Sequence, residues 1–262
     1  MDTIDELNDF IQNGYKVYFP NITIDCVIFG YENRQLKVLI LKTNAKNDWS
    51  LPGGFIKRTE SLTGAATRIL KERTSLDNVF LKQFHNFGDS AFRMNDDRVI
   101  TIDETNKLPI VEISKDCWLL ERTFSVGYYA LIDCSKAIIK SDLYFDDYKW
   151  VNIEELPNNL SYDHNEIFDV ALKTIRNQIF HEPIGYELLP EKFTLPEIQT
   201  LYETILDKKL HRRNFPNKLL TMKIIEKLEE KRNIGQHRSP FLYKFHKTNY
   251  TNALNERLAL TL

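Results

Sequence analysis

The sequence is poor in cysteine and has no long hydrophobic run. Its 262 residues include only Cys26, Cys117 and Cys134, odd in number and far apart. That usage excludes a disulfide framework and a paired-cysteine zinc site, and points to thiols kept reduced. No apolar stretch approaches the roughly 18–20 residues of a membrane helix. The first residues, MDTIDELNDF, are acidic and lack the basic-then-apolar order of a secretion signal. Internal repeats and low-complexity tracts are missing too. These absences lead to the expectation of a cytoplasmic chain without a membrane partner, long enough for two domains.

What is there is an uneven charge. The net charge is −2, yet residues 207–247 carry 12 Lys or Arg against 4 Asp or Glu, leaving the remainder at −10. A segment of +8 on an acidic chain is the electrostatic footprint of a polyanion-binding module.

Ile22–Tyr31 and Leu36–Lys42 are β-branched and aliphatic runs around Glu32-Asn33-Arg34-Gln35, which predicts a β-hairpin. Ser61–Thr74 spaces Leu62, Ala65, Ala66, Ile69 and Leu70 for one buried helix face. Val79–Phe87, Thr123–Ile132 and Lys149–Ile153 read as strands and Glu166–Gln178 as a helix. Between Asp89 and Glu121 lies a polar, irregular stretch containing the strand-like Arg98–Ile102; a connection this long is usually functional or mobile. Pro183, Gly185 and Pro190 mark a boundary, giving expected domains at 1–182 and 183–262. Beyond it, Thr194-Leu-Pro-Glu197 is a capping box opening a helix to about Leu206. Asn214 is placed to cap a second helix, Phe215–Met222. Ile224–Glu230 and the alternating Phe241, Tyr243 and Phe245 then suggest a two-stranded ribbon. Helix, turn, helix and ribbon describe a winged helix.

The chemistry-bearing segment is Gly54–Leu76. Glu60 follows Gly54 after five residues, and Arg68 follows Glu60 after seven. This pattern resembles the Nudix box of metal-dependent pyrophosphohydrolases, whose remainder is Arg-Glu-aliphatic-x-Glu-Glu-x-Gly-aliphatic. Gly54, Glu60, Arg68, Leu70, Glu72 and Leu76 match; Ile69, Arg73 and Ser75 depart. The family holds magnesium or manganese on clustered glutamates of this helix. A hard cation needs several oxygen ligands, and here two carboxylates are replaced by an apolar side chain and a cation. Glu72 lies four residues from Arg68 and can pair with it instead. The expectation is no catalytic residue, no metal and no cofactor.

His181–Pro190, Phe193–Gln199, Leu201–Glu203, Arg213–Phe215 and Leu242–Phe245 are similar to the linker and winged helix of NrtR-type regulators, closest to the sugar-responsive, AraR-like branch of Bacteroides-type bacteria. The likeness spans about residues 16 to 250, except the stretch 89–121. It implies an α+β chain, a Nudix-like α/β/α sandwich with a C-terminal winged helix-turn-helix domain. It also implies a homodimer, probed by a small-molecule effector such as a sugar and bound to double-stranded DNA at an inverted-repeat operator, most simply as a repressor. Candidate effector contacts are Glu60, Arg68, Glu72, Arg73, Asp163 and His164, although Asp163 is equally suited to an N-cap. Trp49 and Phe87 are read as core aromatics. Candidate DNA contacts are Arg212, Arg213, Asn214, Asn217 and Lys218 on the second helix, with Gln236, His237 and Arg238 in the wing. Arginine reads guanine bidentately, asparagine reads adenine, and lysine mostly meets phosphate. A Nudix hydrolase of ADP-ribose or another nucleoside diphosphate is the alternative, against which the eroded box argues. A module that only dimerises is disfavoured by the basic segment.

Overall fold

Asn33 and Arg34, with φ of 52° and 63°, make the two-residue turn whose twist suits a hairpin. It joins strand β1 (Tyr18–Glu32) to β2 (Gln35–Thr43). The computed structural model describes residues 3–43, 48–77, 79–94, 116–139, 145–179, 185–186, 188–233 and 239–256. β1 begins earlier than its apolar run, because Tyr18 already pairs with Lys57. Ahead of it, Thr3 caps helix α1 (Ile4–Asn13), which the sequence pattern did not announce; among its residues only Leu7 is buried. Then come β3 (Trp49–Ser50), β4 (Gly53–Lys57), α2 (Leu62–Thr74), β5 (Leu81–Phe87), the short α3 (Ala91–Met94), β6 (Phe124–Asp133), β7 (Phe145–Asn152) and α4 (His164–Gln178). Arg98–Ile102, expected as a strand, lies outside the described residues.

Among the described residues one sheet has the order β3-β2-β1-β6-β5, with β4 on β1 and β7 on β2. Residues Ile24 to Gly30 of β1 are buried without interruption, as a strand covered on both faces requires. Ile24, Cys26 and Ile28 pack with Ala65, Ala66, Ile69 and Leu70 of α2. Phe29 points the other way, its ring 6.0 Å from that of Phe168 on α4. Helix, sheet and helix thus stack as an α/β/α sandwich. Phe87 is buried, and Trp49 lies under the Lys149 ammonium at 3.9 Å.

The remaining elements are α5 (Leu195–Leu206), α6 (Asn214–Thr221), β8 (Ile225–Lys231), β9 (Phe241–Phe245) and α7 (Lys247–Glu256). The Glu197 carboxylate accepts from the Thr194 amide at 2.7 Å, the return half of a capping box. Ile198, Leu201, Tyr202 and Ile205 bury one face of α5, and Tyr202 packs on Phe215 of α6 with centroids 4.7 Å apart. β8 and β9 pair antiparallel from Ile225↔Phe245 to Lys231↔Phe241. This is a winged helix.

The chain divides into two compact units that interleave in sequence. The first holds residues 1–30 and 37–171; the second holds 31–36 and 172–262. The second therefore begins inside α4 and takes in the β1–β2 turn.

Candidate functional site

The box residues are built around Arg68. Ser61 caps α2 by accepting the Gly64 amide, and Ala65, Ala66, Ile69 and Leu70 fix which face points inward. Arg68 is thereby set toward the loop that precedes the helix. Its guanidinium donates to Glu60 Oε1 at 2.6 Å and Oε2 at 3.0 Å, and to the Phe55 carbonyl at 2.8 Å. Glu60 Oε1 also accepts the Lys57 amide at 2.6 Å. The hydrogen bond from Arg68 holds the Glu60 carboxyl below the usual range, and the bond to Glu60 raises Arg68. Arg68 also reaches Glu72 across one helical turn at 3.2 Å.

The three departures from the box each have a structural counterpart. Ile69 is 1 % exposed in the sandwich core and packs against Gly54, so its position is apolar by contact. The Arg73 guanidinium stacks on the Phe145 ring at 4.4 Å. Ser75 takes the left-handed conformation, φ 58°, that ends α2 and usually calls for glycine. Its hydroxyl donates to the Ile138 carbonyl at 2.9 Å and fixes that end. The donors present do not suit a divalent cation: both Glu60 oxygens and the Glu72 carboxylate are engaged by Arg68.

Asp163 and His164 belong to a buried cluster instead. Arg93 Nε and Nη2 donate to the two oxygens of Asp163 at 2.6 and 2.7 Å, and Nη2 lies 3.3 Å from Asp25 Oδ2. Ser90 donates to Asp163 at 2.8 Å. Ser125 Oγ donates to Asp25, and His164 Nε2 faces Asp25 Oδ1 at 3.5 Å. The Leu51 amide donates to His164 Nδ1 at 2.9 Å, which fixes the ring with Nε2 toward Asp25. Burial alone would raise the Asp25 carboxyl; His164, Arg93 and Ser125 outweigh it and hold it at about 2. Burial also pushes the neighbouring Cys26 thiol far above its usual range, so this cysteine is inert.

Asp163 binds Arg93 and Ser90 with its carboxylate, and it and His164 are 8 % and 4 % exposed. The cluster meets the box through the Pro-Gly-Gly turn, since Gly53 lies so close to Asp25 that no β-carbon fits there. Sequence reasoning did not find Asp25, Ser90, Arg93 or Ser125. A lone aspartate within Thr23-Ile-Asp-Cys-Val-Ile28 was a usable signal; Arg93, in a stretch without periodicity, carried none.

On the winged helix, Arg212, Arg213, Asn214 and Asn217 are exposed, and Lys218 is partly so, at the start of α6. Asn214 is the first residue of α6, not its cap. The cap position is Arg213, which makes no side-chain cap bond. His211 Nδ1 accepts the Arg213 and Asn214 amides at 3.4 and 3.3 Å, which leaves the Asn214 side chain clear of that task. Arg212, Arg213 and Asn217 line a groove of about 620 Å³ with Gln199, Thr200 and Glu203 of α5. Part of the basic excess is matched internally: Lys209 pairs with Glu203, Lys244 with Glu226 and Arg232 with Glu197. Lys227 and Lys231 stand over the Phe241 ring at 3.5 and 4.7 Å. Gln236, His237 and Arg238 lie outside the described residues.

A Nudix sandwich with a self-satisfied box, followed by a basic winged helix, is the class that fold and sites define. The NUDIX domain family matches residues 20–170, and the NrtR DNA-binding winged helix domain matches 185–245. The chain belongs to the NUDIX family over more than half its length, with an NrtR-type DNA-binding domain following. It is 27% identical over 232 residues to the ADPR responsive transcriptional repressor NtrR of Acinetobacter baylyi, covering 86% of this chain and 82% of that protein. Shewanella oneidensis NrtR complexed with a 27mer DNA has a TM-score of 0.67 at 24% identity, over 88% of this chain and 95% of that one. A MutT/nudix family protein from Enterococcus faecalis has a TM-score of 0.59 at 20% identity, over 94% and 99%. The two solved structures bear on the fold.

Proposed function

We propose that the chain is a cytoplasmic transcriptional repressor. Its Nudix domain, residues 1–182, binds a small-molecule effector without hydrolysing it, and its winged helix, residues 183–262, binds an inverted-repeat operator as a homodimer. The observation that carries this reading is the box itself. Arg68 engages Glu60 and Glu72, and Ile69 is core, so the carboxylates that would cradle a catalytic metal are already paired with a cation. Retained polar walls without a metal suit ligand recognition. The exposed Arg212, Arg213, Asn214 and Asn217 at the head of α6 support major-groove contact, with Lys218 on phosphate and the wing residues Gln236, His237 and Arg238 reaching the backbone or minor groove.

ADP-ribose is the first effector to try, because the Acinetobacter baylyi relative is named for its response to it. The sugar-responsive branch expected from the sequence has no counterpart among the relatives named above, so free sugars come second. Glu60, Arg68, Glu72 and Arg73 are assigned to the effector pocket. Asp163 and His164, being buried, act on it by positioning the Leu51–Gly54 turn.

Fluorescence anisotropy with DNA from upstream of the protein's own gene, with random DNA as competitor, tests the operator half. Thermal shifts with ADP-ribose, pentoses and hexoses test the effector half, since a specific ligand stabilises by mass action. Binding no tighter than to competitor DNA overturns the regulator reading. Metal-dependent cleavage of ADP-ribose on the order of 1 s⁻¹, a usual enzyme rate, overturns the non-hydrolytic one.

A further inference from the structure

Strand β1 passes through the buried charge cluster, helix α4 starts from it, and both finish in the second unit. Asp25 is on β1, and His164 opens α4 with Asp163 just before it. Six strand residues from Asp25 to Tyr31 span about 20 Å. Twelve helical residues from His164 to Arg176 span about 18 Å. Within the second unit the two elements hold the same short piece of chain, the C-terminal end of α5. Thr204 Oγ donates to the Thr200 carbonyl at 2.8 Å and is shared with the Arg34 carbonyl at 3.3 Å. Arg34 sits in the left-handed region, φ 63°, which a non-glycine residue occupies only at a cost. Arg176 Nε donates to the Ile205 carbonyl at 3.0 Å and its guanidinium lies 3.9 Å from Asp207. The last carbonyls of a helix have no partner inside it, so Arg176 fills a gap at the point where the chain turns. Asp207, itself left-handed at φ 52°, begins the turn that leads to Arg212, Arg213 and α6.

We propose that β1 and α4 are the two arms of a linkage that passes a change at the Asp25–Arg93–Asp163 cluster to the turn of the helix-turn-helix, and so couples effector occupancy to operator affinity. The proposal rests on the reading of the chain as an effector-responsive DNA-binding protein. Coupling between two sites is a free energy that each site exerts on the other, and an element that both sites bias is its physical carrier. Movement of either arm re-aims the end of α5, and with it residues 207–213 and the approach of α6 to DNA.

The test is amide hydrogen exchange on the full chain, which reads local opening directly. Ser125→Ala removes one hydrogen bond to Asp25, and Arg93→Gln removes more; if the latter fails to fold, the former carries the experiment. Each is made in the native background and in a Thr204→Val, Arg176→Met background. The cluster variants are expected to raise exchange at residues 208–214 about threefold in the native background and less than about twofold in the other. An equal rise in both backgrounds, or none in the native one, overturns the linkage. Added ADP-ribose is expected to alter exchange at residues 54–76 in both backgrounds but at 208–214 only in the native one. If ADP-ribose alters nothing while the cluster variants still act on 208–214 through the arms, the linkage stands and ADP-ribose is the wrong effector.

Discussion

Arg93→Met, at a buried position, should destabilise the sandwich strongly. Methionine keeps the length and fills the aliphatic path, so the change isolates the guanidinium. That group makes two bonds to Asp163, at 2.6 and 2.7 Å, and lies 3.3 Å from Asp25. All three side chains are at least nine-tenths buried. Breaking a buried ion pair from one side costs about 3–5 kcal/mol, because the other charge stays behind. Typical domains hold about 5–15 kcal/mol in all, so the loss is a large share, and the melting temperature should fall by about 6–20 °C. Urea unfolding followed by tryptophan fluorescence measures it. The pH dependence gives a second check. Asp25 is held at about 2 against an ordinary 3.8. A depressed carboxylate contributes stability that is fully present above pH 3.8 and lost as pH falls through 2. Without Arg93 that depression shrinks, so the gap between parent and variant should be widest near neutrality and narrow toward about pH 2. A gap under about 1 kcal/mol at neutral pH, or one that does not change with acid, refutes the account of the cluster.

Ile69→Glu, which restores a box carboxylate, should cost about 2–5 kcal/mol and fail to create a manganese site, because the position is core; tight manganese binding by calorimetry contradicts that. Ser75→Ala should destabilise by about 1 kcal/mol, losing the bond to the Ile138 carbonyl while keeping the left-handed backbone; an unchanged urea midpoint argues against it. Arg213→Ala should weaken operator binding by about 1–3 kcal/mol and relax preference at one position per half-site, whereas Lys218→Ala should weaken all sequences alike and flatten the salt dependence. Anisotropy titrations at two salt concentrations separate the pair, and identical losses on operator and random DNA for Arg213→Ala remove it from base readout.

Local patterns determined much of this protein from the sequence alone. Strand-like and helical patterning placed the hairpin, α2, α4 and β9, and a capping box placed α5, because each depends on neighbours a few residues apart. The Gly54–Leu76 spacing identified a Nudix box and showed that two of its carboxylates were gone. The order helix, turn, helix and ribbon located the winged helix, and the resemblance of residues 181–245 attached a family to it. Short-range reasoning also misplaced things. Asn214 looks like a cap, but His211 folds back to do that work, a choice made by the turn that Asp207 begins. Tertiary structure alone decided the rest. Arg73 stacks on Phe145, 72 positions away in sequence, and the cluster joins Asp25, Arg93, Ser125 and the adjacent Asp163 and His164 from four separate segments. Such pairings carry no periodic signature, because a buried charge is stabilised by whichever opposite charge the packed fold brings within reach, not by one a fixed number of residues away.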